Sequence, residues 1–422
     1  MRKILFGVLG SALFMSCGDV TKSTSASRQK KAWNDAHNPR IMETGSLKEQ
    51  KYIFKFESLP LQGKLSKLPW SDDYWADWKG GLTFRWFGNH PSEVSRYKYP
   101  ILNKSQVPNV DLKTLSPLEK FDIFMGDYDF PRTKLERKRT EVMSNSNIPA
   151  WTGLCDNWAP ATLFFLEPGP VMLKGKRGDM VPFGSSDVKA LLIYFLKEAE
   201  VDSKFLGTRC DWDIADLQRK FKRGLISKNT YEARMEECSG VNAGAFHIVM
   251  ANQLGRLDEG FIFDKDGGPE VWNQPAKGFT SKVLVHKKKK SPGAAPATVS
   301  EVEIETILEY IEEKDQSWDK NSETGEDTIE YHYRVELDKD GMIIGGAWLD
   351  EDHPDFAWKQ PLPTFRGDTE YEAIKQIYEA AVGKQLPEHF TAPNKAPEKI
   401  VDNTTPERRP NRFMRMFRRN PH

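Results

Sequence analysis

The chain has 422 residues, and its 61 lysines and arginines balance 61 aspartates and glutamates, so the formal net charge is zero. No overall field draws such a chain onto nucleic acid. A chain of this length buries a large core, in one big domain or two, and neither the short apolar run at the N-terminus nor any later one is long enough to cross a bilayer.

The N-terminus, "MRKILFGVLGSALFMSCGDV", carries Arg2 and Lys3, a short apolar run from Ile4 to Met15, then Ser16-Cys17. This is the grammar of an export signal of the bacterial lipoprotein type over residues 1–17, with Cys17 as the lipidated residue. It implies an exported protein, either a cell-envelope lipoprotein or a secreted one, whose only contact with membrane is a lipid anchor. Residues 18–50 are polar and lack periodicity, which predicts a flexible tether. Order is expected from about Lys51, with the main domain over 51–386. The arginine-rich stretch 387–422 reads as a basic tail.

Within the domain, residues 68–240 read as mainly helical. "LSPLEKFDIFMG" offers Ser116 as cap, Pro117 at the first turn and Glu119 behind it, with Gly126 as the stop. "TGLCDNWAPAT" has the pattern of a loop leading into a helix, with Cys155 near its start. Pro160 is expected to kink that helix or to restart it. "FGSSDVKALLIYFLKEAE" is an amphipathic helix capped by Ser185 or Ser186. Residues 241–360 read as antiparallel strands, beginning with a hairpin of "AFHIVMANQLG" and "GFIFDKDGG". A late helix lies in "DTEYEAIKQIYEAAVG". Helices first and strands second predict an α+β fold.

Export places the chain where disulfides persist. With Cys17 used for lipid, three cysteines remain: Cys155, Cys210 and Cys238. The economical pairing is Cys210 with Cys238, which leaves Cys155 as a free thiol. A thiol acts as a nucleophile when a histidine or a helix N-terminus favours its thiolate. Of the eight histidines, His247 has the most suitable setting, on a stretch read as an apolar strand with Ala245 and Val249 beside it. Asp264 ends the next strand and is the expected cross-strand neighbour that orients the imidazole. Asn273 is the runner-up orienter, followed by Asp266, and Asn273, Trp151 and Trp158 are also candidates for oxyanion support. Trp151 and Trp158 flank the thiol and would either exclude water or pack in the core.

The segment "EVWNQPAKGFTSKV", with Val271, Trp272, Asn273, Gln274, Pro275, Lys277, Gly278 and Phe279, closely resembles the elicitor peptide of the transglutaminase elicitor family, secreted enzymes best known from oomycete plant pathogens. Further blocks are similar in the same order, among them "PWSDDYWADWKGGLTFRW", "WTGLCDNWAPAT", "GTRCDW" and "VNAGAFHIVMANQLG". The resemblance implies a papain-like, transglutaminase-like core with a Cys-His-Asp centre: Cys155 as nucleophile, His247 as base and Asp264 as orienter. It supports a Cys210–Cys238 disulfide and implies acyl transfer between glutamine and lysine side chains of proteins or peptides. The Val271–Phe279 segment, directly after the aspartate strand, is expected to form a turn and strand that backs the centre, with Trp272 buried. The alternatives are a cysteine peptidase or amidase acting on envelope peptides, and a surface binding protein without catalysis. No cofactor is expected. Calcium is the one candidate, through the carboxylates of "DKDGG" and "LDKDG" (Asp264, Asp266, Asp338, Asp340), although Asp-Gly pairs are first of all turn chemistry.

Overall fold

The computed structural model describes residues 33, 35–43, 51–199, 201–321, 323–350, 352–365 and 368–386. The expected signal and lipidated Cys17, most of the tether and the basic tail lie outside these residues.

Eight helices can be followed among the described residues: α1 (Pro117–Met125), α2 (Pro131–Thr140), α3 (Cys155–Phe164), α4 (Ser185–Glu198), α5 (Ile214–Lys222), α6 (Lys228–Glu237), α7 (Ala243–Asn252) and α8 (Thr369–Val382). The strands are β1 (Gln62–Lys64), β2 (Val171–Lys174), β3 (Met180–Phe183), β4 (Lys204–Gly207), β5 (Phe261–Asp264), β6 (Asn273–Lys287), β7 (Ser300–Ile311), β8 (Glu326–Leu337), β9 (Ile343–Trp348) and β10 (Phe356–Lys359). All but β2 and β3 join one antiparallel sheet in the order β4-β10-β5-β6-β7-β8-β9, with β1 paired to β6. The fold is α+β.

The sheet is covered on both faces, and the alternation of its side chains shows where each layer lies. On β5, Ile262 points to one side while Phe261 and Phe263 point to the other. On β10, Phe356 and Trp358 share the side of Ile262, and Ala357 shares that of Phe263, in agreement with the pairings Trp358–Ile262 and Ala357–Phe263. The first face packs against α1, α3, α4 and α8, which contribute Phe121, Trp158, Leu192 and Ile377. The second face packs against α7, through Phe246, Ile248, Val249 and Met250, and against the buried rings Tyr331 and Tyr333 of β8.

Local sequence explains the helix ends. Ser116 and Glu119 form the reciprocal capping box expected for α1, and Gly126 ends it with φ 78°. In α4 the cap is Gly184, one residue earlier than expected, because Asp187 Oδ2 accepts the Gly184 N–H at 2.7 Å. α3 runs through Pro160 without restarting, so the Asp156 carbonyl receives no N–H from that residue.

Two expectations are corrected. Residues 35–43 are part of the folded body: Met42 is fully buried, its carbonyl accepts Tyr52 Oη–H at 2.9 Å, and Gly207 N–H donates to Ala36 O. The stretch around His247 is helix α7, followed by a turn of π-helix at Gln253–Leu257, and not the first strand of a hairpin. Asn242 starts α7 by accepting the amides of Gly244 and Ala245. Gly244 then lies so close to β9 that a Cβ there would sit 2.1 Å from the Gly345 carbonyl oxygen, which only glycine tolerates.

Candidate active site

Cys155 is the first residue of α3 and a free, buried thiol. The loop before it is held by Tyr74. Tyr74 Oη donates to Ala150 O at 2.6 Å, and its own carbonyl accepts Leu154 N–H at 2.7 Å. A Cβ on Gly153 would meet the Tyr74 ring at 2.6 Å, so the loop closes on this ring only with glycine at that position. Leu154, at the cap, supplies no side-chain acceptor to the first-turn amides of α3, while its carbonyl accepts the Asn157 and Trp158 N–H groups at 3.0 and 2.8 Å.

The wall opposite the helix is the start of β6. Asn273 Nδ2 donates to Cys155 Sγ at 3.5 Å, and the thiol reaches Val271 O at 3.8 Å. Asn273 is itself fixed, since its Oδ1 accepts Trp358 Nε1–H from β10 at 2.7 Å. This chain of contacts (Trp358 to Asn273 to Cys155) ties the thiol to two strands of the sheet. Asn273, the runner-up orienter, is thus the residue the structure brings against the sulfur.

Burial pushes the Cys155 thiol well above its ordinary range. The Asp156 charge adds to this and the Asn273 side-chain and backbone N–H groups oppose it, so at neutral pH the sulfur is protonated. Two carboxylates act on it. Asp156 is lifted by burial to about 7, against the pull of Arg139 and the Asn157 amide. Glu313 is raised by burial and holds the Gln274 amide with both oxygens at 3.0 Å. Aromatic rings surround this pair of segments. Trp272 packs edge-on against Tyr74 at 5.5 Å, and it is half-buried with its Nε1 on Glu270, not buried as expected. Trp151 is half-buried under the Arg209 guanidinium at 5.6 Å, while Trp158 is a fully buried core residue.

His247 does not reach this place. It belongs to α7, on the second face of the sheet, whereas α3 and Cys155 lie on the first. Its Nδ1 is 2.8 Å from Tyr333 Oη, which continues to Thr306 Oγ1 and then Ser281 Oγ. Its Nε2 has no hydrogen-bond partner among the described residues, and burial lowers the imidazole to about 4. The Cys155-His247-Asp264 grouping is therefore not assembled: a sheet stands between the thiol and the imidazole. Asp264 pairs across the ladder with Asn273, and not with His247 as expected, because His247 lies on a helix. Its Oδ1 accepts the Trp272 and Asp266 amides at 2.8 and 3.3 Å, and burial raises its carboxyl well above the usual range.

Cys210 and Cys238 form the expected disulfide. The acidic residues weighed for calcium are engaged in turns. Asp266 accepts the Gly268 amide at 2.7 Å and Asp338 those of Asp340 and Met342 at 2.9 Å, while Asp340 pairs with Lys339. Among the described residues no group of three or more His, Cys, Asp or Glu side chains is placed to hold a metal ion. Tyr74, Trp358 and Glu313 were not visible as site residues in the sequence, because each is brought to the thiol region by tertiary packing; Asp156 adjoins Cys155 in the chain, and only its buried surroundings mark it out.

The family model described as "Transglutaminase elicitor" matches residues 132–377, more than half of the chain. The fold is similar to the crystal structure of the GP42 transglutaminase from Phytophthora sojae, with 21% sequence identity and a TM-score of 0.56 over 84% of this chain and 100% of that one. No curated protein matches the sequence significantly.

Proposed function

The chain belongs to the transglutaminase elicitor family, and from that premise we propose that it is an acyltransferase whose nucleophile is Cys155. The observation that carries the reading is the free thiol at the first residue of α3 with the Asn273 amide directed at its sulfur. In the first half-reaction the sulfur attacks the carbonyl carbon of a glutamine carboxamide. The thiol proton passes through a neighbouring carboxylate to the leaving nitrogen, which departs as ammonia, and a thioester remains. Asp156, next to Cys155 in the first turn of α3 and raised by burial, is the carboxylate assigned to this task. Asn273 Nδ2–H and the Cys155 amide at the head of α3 are the donors that would stabilise the oxyanion.

In the second half-reaction a lysine amine attacks the thioester. Its proton returns by the same carboxylate to the sulfur, giving an isopeptide bond and a restored thiol. Water in place of the amine gives deamidation. The substrates are proteins or peptides bearing glutamine and lysine side chains. His247 has no part in this scheme, because it lies across the sheet from the sulfur. Export under a lipoprotein-type signal, with Cys17 as the lipid site, belongs to the same proposal. No helix among the described residues is long and apolar enough to cross a membrane.

The test is incubation of the purified chain with a glutamine peptide and a labelled primary amine. Amine incorporation that is lost in Cys155→Ala and kept in His247→Gln supports the proposal. Peptide cleavage without incorporation would make the protein a peptidase, and neither product would make it a binding protein.

A further inference from the structure

Helices α5 and α6 form a hairpin whose two ends are joined by the Cys210–Cys238 disulfide, 28 residues apart. The helices pack mainly on each other: Phe221 stacks on Tyr231 at 4.4 Å, and the Arg234 guanidinium covers Trp212 at 3.9 Å. Leu217 is the one fully buried residue of α5, and α6 has none. The hairpin is thus a closed projection from the body and not a layer of its core. A disulfide at the base suits a small element that cannot bury enough apolar surface to hold itself closed.

Its charges are segregated. From Arg219 to Lys228 the sequence has five cationic residues and no acidic one, whereas Asp211, Asp213, Glu236 and Glu237 lie at the base. Arg219 and Lys220 pair with Asp216, and Lys228 pairs with Glu232. Lys222 and Arg223 have no acidic partner among the described residues. Gly224, with φ 70°, turns the chain at this point, and Leu225 follows with 68% of its surface exposed. An exposed leucine directly after two unpaired cations at the apex of a rigid projection combines apolar insertion with attraction to anionic headgroups.

We propose that the apex of this hairpin docks on the surface of an anionic lipid bilayer, with Leu225 among the headgroups and Lys222 and Arg223 against lipid phosphates. The contact is separate from any lipid anchor and from the chemistry of Cys155. At the hairpin base Arg209 covers Trp151 and donates to the Pro269 carbonyl, which ties the base to the segment that leads to Val271 beside the thiol.

Partitioning of the full chain onto vesicles tests it, with phosphatidylglycerol–phosphatidylcholine mixtures compared against pure phosphatidylcholine. Binding to the anionic vesicles is expected to fall roughly thirty-fold in the Lys222→Ala/Arg223→Ala double variant, the sum of two surface cations, and to fall in Leu225→Ser without any charge change. The contribution of the basic tail multiplies both values alike and leaves the ratio intact. Lys288→Ala/Lys289→Ala removes the same charge elsewhere and is expected to bind as the wild type does. Equal binding by the apex variants, or an equal loss in the control, overturns the proposal. Binding to poly-L-glutamate without binding to vesicles would identify an acidic polypeptide as the partner and also overturns it. None of these readouts depends on acyl transfer, so the proposed activity and the docking surface fail independently.

Discussion

Acidification should weaken the fold through His247, and the effect can be worked out from its surroundings. Burial lowers the imidazole from 6.5 to about 4, and no acidic side chain offsets this. The folded state therefore holds a neutral ring at pH values where the unfolded chain has already bound a proton. A depressed histidine contributes stability that is present above the unfolded value and lost as pH falls towards the folded one. Between about pH 7.5 and about pH 4.5 the loss amounts to about 2.5 kcal/mol, at 1.36 kcal/mol per unit of difference. Raised carboxyls work in the opposite direction. Asp264, and Asp72 and Asp355 at about 7, contribute stability at low pH that is lost as pH rises. The comparison must then be made against His247→Gln, which cannot titrate and can still meet Tyr333 Oη. Urea unfolding of both proteins across this range should show the wild type losing about 2.5 kcal/mol relative to the variant. Parallel pH curves would mean that His247 is solvated or paired, and would refute its placement in the second core. A loss of activity in His247→Gln with stability unchanged would also refute it, by returning the imidazole to the thiol.

Three further outcomes follow from named contacts. Asn273→Ala removes the donor at the sulfur and should lower kcat for amine incorporation by about 10²–10³-fold, while Trp358→Phe, which frees the Asn273 carboxamide and also thins the packing on Phe205, should lower kcat by less. Lys120→Met strands the Asp187 carboxylate, now 2.6 Å from the ammonium with both side chains fully buried, and should cost about 3–5 kcal/mol in urea unfolding; adding Asp187→Asn should restore part of it. Replacing Cys210 and Cys238 by alanine opens a closure of 28 residues and should lower the unfolding free energy by about 3.6 kcal/mol on a chain-entropy basis.

What could be read from the sequence was what local chemistry determines. The Ser116–Glu119 capping box, the apolar stripe of α4 and the alternating residues of β7 and β8 report their structure within a few positions. Cys155 at the head of a helix was legible for the same reason. α7 was not, because all ten of its residues are buried. A helix without a polar face loses the 3.6-residue period, and "AFHIVMAN" then resembles a buried strand. That one misreading moved His247 to the wrong side of the sheet and with it the expected base. Asn273 was weighed as an orienter of the imidazole or as oxyanion support, not as a direct partner of the sulfur. Its contact with the sulfur depends on Trp358, 85 residues away, and on the register of β5, β6 and β10, none of which a local pattern encodes.

Acyl transfer through Cys155 requires a thioester between its sulfur and the glutamine side chain, and this intermediate can be weighed directly. The chain would be mixed with a glutamine peptide in the absence of amine, quenched in acid and digested, and the peptide containing Cys155 analysed by mass spectrometry. The expected product carries the added peptide less one ammonia on Cys155, and it disappears when a primary amine is supplied. An unmodified Cys155 alongside deamidated or cross-linked product would show that another residue performs the chemistry.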